Sequence, residues 1–363
     1  MTGKERALRA LNFEPVDRTP VAGGLLQNAE YLARKAGRGD FWEAPRETAF
    51  QAFRALGCDA VLGPVMPKRP EGTTRDAAGR PTDYTVSNAR PELVTPEQVA
   101  EYARLRPSRE EVREQFSFGQ AYDAYLTQMQ DGVRDAGDML YIPHCLGYAP
   151  NFPTSDGHFS YEAFLLACVL FPEDLKRLFD GWGEYSRLRC EAVAKATLDH
   201  DLLRLLWIGS DLCDANGPML SPALFRELYC PQLARALEPL KAAGIRVVWH
   251  TDANYKQLVP DLLDLGIDGF QGLYETPNGT RLEDLAMTRT RAGMPPLLFG
   301  SLSTVWVLPI KGPAGVRQEV DRCLEAVGSQ GGLLLAPSSS IGPEVPAENV
   351  DALYEYATHR RGT

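Results

Sequence analysis

Leu205-Leu206-Trp207-Ile208 runs into Gly209-Ser210-Asp211; further on, Ser221-Pro222 opens a long stretch to Ala243-Gly244, and Arg246-Val247-Val248-Trp249-His250 follows at once. An almost wholly apolar run rich in large side chains is what a parallel strand buried on both faces needs. Ser221 reads as an N-cap, Pro222 as the first helical residue and Gly244 as the stop, so a helix is expected over Ser221 to Ala243. Strand, helix and strand in that order make a crossover unit whose two strands lie parallel.

Working outward, the same alternation recurs along the chain. The candidate strands are Thr19 to Gly24, Ala60 to Pro64, Met139 to His144, Leu205 to Asp211, Arg246 to His250, Gly269 to Glu275, Pro296 to Ser301 and Gly332 to Pro337. Further helical stretches are expected over Asn254 to Leu265, Arg281 to Ala292, Gly315 to Val327 and Ala347 to Thr358. Eight such units without a Gly- or Ser-rich linker predict one α/β domain over residues 1–363, a (β/α)8 TIM barrel. Val65 to Asp138 breaks the rhythm. Pro67, Pro70, Gly72, Gly79 and Pro81 read as loop, Tyr84 to Val86 as part of a hairpin and Pro96 to Met129 as helix, so 65–138 is expected to be an insertion or lid between strands two and three. A solvated excursion without function is the competing reading.

Bulk properties exclude several classes. The chain has 363 residues, 44% hydrophobic and 24% charged, which suffices for a large core. No run of about 18 apolar residues occurs, and Met1 to Leu11 is charged and helical in pattern, so neither a membrane span nor a secretory leader is expected. The seven cysteines are scattered singly without a CxxC pair and read as free thiols in a reducing, cytoplasmic compartment. A formal charge of -10 without a basic cluster argues against nucleic acid as a partner. Gly-rich nucleotide loops, the GxSxG elbow and HExxH are all missing.

In barrels of this kind chemistry is assembled where the carboxyl ends of the strands converge. Those ends are polar here: His144, Cys145 and Tyr148 after strand three, Ser210, Asp211, Cys213 and Asp214 after strand four, and His250, Thr251, Asp252 and Asn254 after strand five. Tyr274 and Glu275 follow strand six, Ser301 and Ser303 strand seven, and Ser338, Ser339 and Ser340 strand eight. His250 and Asp252, two residues apart at a strand end, share a face. With Asp211 and Glu275 from the flanking strands they are expected to form the catalytic centre. Such a set either binds a divalent ion, with His250, Asp252 and Glu275 as ligands and zinc foremost among zinc, manganese and iron, or works as carboxylates with separated pKa values. His144, Tyr148, Asp59, Asn254, Ser301 and Ser339 are the expected substrate contacts. The bland alternative is that His250 donates to Asp252 or Asp211 in a satisfied rim network, with the serines capping turns.

Several segments carry a resemblance. Arg6-Ala7-Leu8-Arg9-Ala10-Leu11 with Glu14-Pro15-Val16-Asp17-Arg18-Thr19-Pro20, Ser221-Pro222 with its helix to Pro231, the His250 segment, Phe299-Gly300-Ser301, and Gly331-Gly332 through Val345-Pro346 to Glu348-Asn349-Val350 together resemble the uroporphyrinogen decarboxylase superfamily. The resemblance independently implies the barrel and implies enzymatic activity on a small molecule. The decarboxylases carry Arg-Gln-Ala-Gly-Arg after the first strand to hold substrate carboxylates, whereas this chain reads Leu25-Leu26-Gln27-Asn28-Ala29-Glu30-Tyr31, with Arg34 and Arg38 beyond. In that branch Asp59 or Asp211 would be the central carboxylate. The cobamide-dependent methyltransferases are similar around His250 and strand eight. Their thiol-methylating members bind zinc through His-x-Cys and a later Cys, where this chain has Asp252 and Ser338 or Ser339.

The resemblance therefore implies methyl transfer or ether and one-carbon cleavage, with a corrinoid or tetrahydrofolate as co-substrate, a corrinoid protein as partner and homodimeric pairing as in related barrels. Tetrapyrrole decarboxylation is one alternative, and a barrel that binds a small molecule without turning it over is another.

Overall fold

Leu205–Gly209 (β4) and Arg246–His250 (β5) form the parallel pair that their apolar runs predict, in register from Leu205 opposite Arg246 to Gly209 opposite His250. Trp207 and Trp249 are 1% and 0% exposed. Burying side chains of that size is worth about 1.5–3 kcal/mol or more apiece, which fixes this pair at the centre of its packing unit. The computed structural model describes residues 1–68, 91–152, 158–273, 279–327 and 330–360.

The chain divides into two compact units. The first comprises Met1–Val86, Met129–His144 and Gly269–Thr363. Its strands are Ala22–Gly23 (β1), Ala60–Gly63 (β2), Leu140–Pro143 (β3), Gly269–Gln271 (β6), Leu297–Phe299 (β7) and Leu333–Leu334 (β8). β1, β2 and β3 pair in that order and β6, β7 and β8 in theirs, all parallel. A parallel bridge from Val21 to Leu335 sets β8 beside β1, with Leu335 N–H donating to the Pro20 carbonyl at 2.9 Å. The unit is thus one parallel run, β6-β7-β8-β1-β2-β3. Every residue of these strands is buried, as two-sided coverage requires.

The second unit comprises Ser87–Gln128 and Cys145–Asp268. The β4–β5 pair is covered here by helices, the longest being Pro172–Asp199, which packs along Cys230–Ala242. Gly183 lets them approach: a Cβ there would lie 2.5 Å from Gln232 Oε1 and 3.2 Å from the Gln232 Cα.

All eight expected strands are present, β5 with the expected bounds and the other seven shorter than expected. The helix expected over Ser221 to Ala243 is built in three pieces: Pro222–Leu224, a π-helical turn Phe225–Tyr229, and Cys230–Ala242. Pro231 has no N–H to return to the preceding turn, and the widened turn directly before it is the local answer. The helix expected over Arg281 to Ala292 stops at Leu282–Ala286, because Thr288 takes the Leu285 carbonyl with both its N–H (3.0 Å) and its hydroxyl (2.7 Å). Of the expected insertion, residues 69–90 lie outside the described residues, including the hairpin at Tyr84 to Val86. The helical part is three helices, Pro96–Arg104, Arg109–Gln115 and Phe118–Ala136. Thr95 with Gln98 and Ser108 with Glu111 form capping boxes that open the first two. All seven cysteines are free thiols. Among the described residues no helix is long and apolar enough to cross a membrane.

Candidate functional site

The register of β4 and β5 places Gly209 against His250, and the backbones there approach so closely that a Cβ on Gly209 would lie 2.0 Å from the His250 carbonyl oxygen. Beyond the strands the two loops are joined by hydrogen bonds. Ser210 N–H donates to the His250 carbonyl at 3.1 Å, Leu212 N–H to Thr251 Oγ1 at 3.1 Å, and Asp252 N–H to Asp211 Oδ1 at 3.0 Å. The next turn is fixed as well. Asp214 Oδ1 accepts from Asn216 N–H (2.7 Å) and Gly217 N–H (3.1 Å), while its carbonyl accepts from Asn254 N–H at 3.0 Å. Ala253, immediately before, is held left-handed at φ 73, a conformation that costs a residue with a Cβ and persists only where its surroundings impose it.

Three expected residues are brought together by this stitching. His250 Nε2 lies 3.9 Å from Asp211 Oδ1 and 3.9 Å from Asp252 Oδ1. One ligand atom from each falls within 4.8 Å of the others. The His250 side chain is 13% exposed and those of Asp211 and Asp252 are 44% and 43%, so the cluster is supported from below and open above. The imidazole meets Trp207 edge to face, with centroids 5.7 Å apart. Zinc takes imidazole nitrogen and carboxylate oxygen at about 2.0–2.2 Å, and catalytic sites use three protein ligands with a position left over. A histidine and two aspartates at these separations fit that donor set after small side-chain rotations.

Asp211 and His250 of this cluster line a cavity of about 480 Å3 whose residues all belong to the second unit. Gly209, Ser210, Asp211 and His250 supply one side, Leu146 to Phe152 another, and Trp182, Tyr185 and Ser186 a third. The 146–152 segment is anchored at its start by Cys145 N–H, which donates to the Trp207 carbonyl at 3.2 Å. Tyr229 anchors it further along, donating its hydroxyl to the Pro150 carbonyl at 2.8 Å. Burial pushes the Tyr229 phenol well up, so it stays a donor across the physiological range. Among the described lining residues there is one carboxylate, Asp211, and no lysine or arginine.

The other expected residues are distributed differently. Glu275, expected as both catalytic group and metal ligand, lies outside the described residues, as does Tyr274. Asp59 precedes β2 and so stands at the amino end of its strand, opposite the carboxyl end where a barrel's chemistry is assembled. It is 1% exposed and accepts from Arg6 Nη1 (2.6 Å), Arg18 Nη1 (2.6 Å), Arg18 Nη2 (3.0 Å) and Val21 N–H (2.9 Å). A carboxylate so occupied holds the first unit together and has nothing left to offer a substrate.

Tyr148 lies behind the cavity wall, its ring covered by the Arg189 guanidinium at 3.9 Å, and burial raises its phenol. Asn254 is 8% exposed and its Oδ1 accepts from Lys256 N–H at 3.4 Å. In the first unit, His144, Ser301 and Ser339 follow the carboxyl ends of β3, β7 and β8. Ser301 is fully buried and the other two half-buried. There Gln271 Nε2 donates to the Ser338 carbonyl at 2.7 Å and Thr304 N–H to Ser338 Oγ at 3.2 Å, tying the ends of three strands together.

Trp182, Tyr185 and Ser186 are cavity residues that strand-end reasoning passes over, because they come from the helix Pro172–Asp199. Their spacing at i, i+3 and i+4 puts them on one helical face, and that spacing, flanked by Gly181 and Gly183, is the signal that could have found them.

The family model described as uroporphyrinogen decarboxylase (URO-D) matches residues 210–360, a span that begins at the site's own Ser210. Two curated relatives, both uroporphyrinogen decarboxylases from strains of Thermus thermophilus, are 29% and 28% identical over 183 residues, 50% of this chain and 46% of each relative. The chain thus spans about half the length of the curated relatives it matches. Among solved structures, a methyltransferase from Methanosarcina mazei shares the fold, with a TM-score of 0.60 at 18% identity over 99% of both chains.

Proposed function

The chain belongs to the uroporphyrinogen decarboxylase superfamily, and we propose that within it the protein is an enzyme of methyl transfer, or of ether and one-carbon cleavage, on a small substrate. The observation that carries this is the convergence of Asp211, His250 and Asp252, of which Asp211 and His250 line a cavity together with Phe152, Trp182 and Tyr185. Breaking a methyl–oxygen or methyl–nitrogen bond leaves an electron pair on the heteroatom, which must be met by a proton or positive charge. His250 Nε2, held 3.9 Å from each carboxylate, is the proton carrier placed for that task. Asp211 keeps Asp252 in position by accepting its N–H, and the aromatic wall fits a flat or methylated substrate. In place of that proton, His250, Asp211 and Asp252 would hold a divalent ion, zinc by the donor set, which when bound would supply Lewis acidity instead. A corrinoid or tetrahydrofolate as methyl acceptor, a corrinoid protein as partner, and a closed (β/α)8 barrel complete the proposal. They are supported by the superfamily, the strand–helix alternation and the methyltransferase that shares the fold.

The relatives' name favours a second reading, decarboxylation of a tetrapyrrole. A substrate with many carboxylates needs forked cationic donors, and the described lining of this cavity offers a carboxylate instead. Incubation with cob(I)alamin and a panel of methoxy-aromatic and methylated amine donors, followed by absorbance, is expected to yield methylcobalamin. His250→Ala should reduce the rate at least 100-fold. No methylcobalamin with any donor, together with loss of carboxylates from uroporphyrinogen, would replace this proposal with the second reading; no reaction in either assay would leave a binding barrel.

A further inference from the structure

On the other side of Trp182 and Tyr185 the second unit has another cavity, of about 370 Å3, bounded also by Tyr102, Phe116, Arg106 and Gln115. Its described lining is aromatic and aliphatic apart from one cation and one amide, with no acid. The cation is unusual for its neighbourhood. Arg104 pairs with Asp174 at 2.8 Å, Arg109 with Asp180, and Arg113 with Glu184 at 2.7 Å, each reaching an acid on the helix Pro172–Asp199. Arg106, in the middle of that series, has no acid partner among the described residues. Its guanidinium lies 3.9 Å over the Tyr102 ring, and its Nε is shielded from solvent without a hydrogen-bond acceptor. Its backbone is fixed, the carbonyl accepting from Arg177 Nε at 3.0 Å.

A shielded donor left unpaired costs about 1–3 kcal/mol, and an arginine fork recovers that most fully from a carboxylate. Rings on three sides recover apolar area from a flat partner. We propose that this cavity is a binding site for a small planar aromatic carboxylate of one or two rings, its acid on Arg106 and its ring among Phe116, Trp182 and Tyr185. In a chain of net charge -10, recognition of an anion has to be local, and a lone arginine in an acid-free pocket is local.

The test is titration of the full chain with 2-naphthoate and its neutral isostere 2-naphthamide, followed by tryptophan fluorescence and calorimetry. The wild type should bind the acid at least tenfold more tightly than the amide. Arg106→Gln should abolish the preference while leaving the amide's affinity within about twofold. Arg106→Lys, which keeps the charge without the fork, should retain part of the preference and covers the case in which the glutamine variant does not fold. His250→Ala should bind both ligands as the wild type does, so this site can fail or hold irrespective of the catalytic proposal. Equal affinity for acid and amide in the wild type, no binding of either, or a preference that survives Arg106→Gln would overturn it.

Discussion

His250 and Asp59 show how position along a strand decides what an ionisable side chain does. Both stand at the end of a buried strand, but Asp59 is at the amino end with two arginines and a backbone N–H upon it, while His250 is at the carboxyl end, facing a cavity with two acids 3.9 Å away. Removing one member of a buried charge cluster leaves the others uncompensated, at about 3–5 kcal/mol. Asp59→Ala should therefore lower the urea unfolding free energy by that order, with Arg18 stranded and Arg6 left to Asp17 alone; a loss under 1 kcal/mol would show that the freed guanidinium groups find water instead. Asp211→Asn keeps the oxygen that accepts Asp252 N–H and loses the charge. Its stability should stay within about 0.5 kcal/mol of wild type, while zinc affinity falls at least tenfold in a competition titration with a chromophoric chelator.

At the scale of elements, the β4–β5 pair was legible because its strands are nearly continuous apolar runs and the serine, proline and glycine punctuation around the intervening helix was clear. What the pattern could not show was the close approach at Gly209, a matter of backbone distance. Gly209→Ala should cost about 1–3 kcal/mol or more, since the neighbour it meets is the His250 carbonyl rather than a movable side chain. The variant should also lose activity beyond its loss of folded population, because His250 would shift. The helix Pro172–Asp199 carries Trp182, Tyr185 and Ser186 into the cavity but ends in no strand, so reading strand ends alone passed it by. The π turn at Phe225–Tyr229 was equally hidden, although Pro231 is its cause in the sequence.

At the scale of the whole molecule, the parallel α/β organisation and the superfamily were readable from the sequence, and three of the four residues expected to form the catalytic centre meet in the second unit. Charge pairing in that unit also sets its acid tolerance. Burial would raise Glu184, but hydrogen bonds from Arg113 and Arg187 outweigh it and hold the carboxyl below its ordinary value. Asp180 is held low in the same way, by Arg109 and Gln232 against its burial. A depressed carboxyl contributes stability that is complete above the unfolded value of about 4 and is lost as pH falls below it. The urea midpoint should accordingly change little from pH 7 to 5 on this account and fall steeply below about pH 4, with Glu184→Gln flattening part of that fall. An acid limb identical in the variant would assign the loss to other groups.

Metal content bears most directly on the cluster at the ends of β4 and β5. Protein stripped with chelator, reloaded with zinc and passed through a desalting column should retain about one ion per chain by mass spectrometry of the elements. His250→Ala and Asp211→Asn should retain well under half of that. Wild-type protein that emerges without metal, or variants that keep a full equivalent, would contradict the assignment of Asp211, His250 and Asp252 as one ion-holding centre.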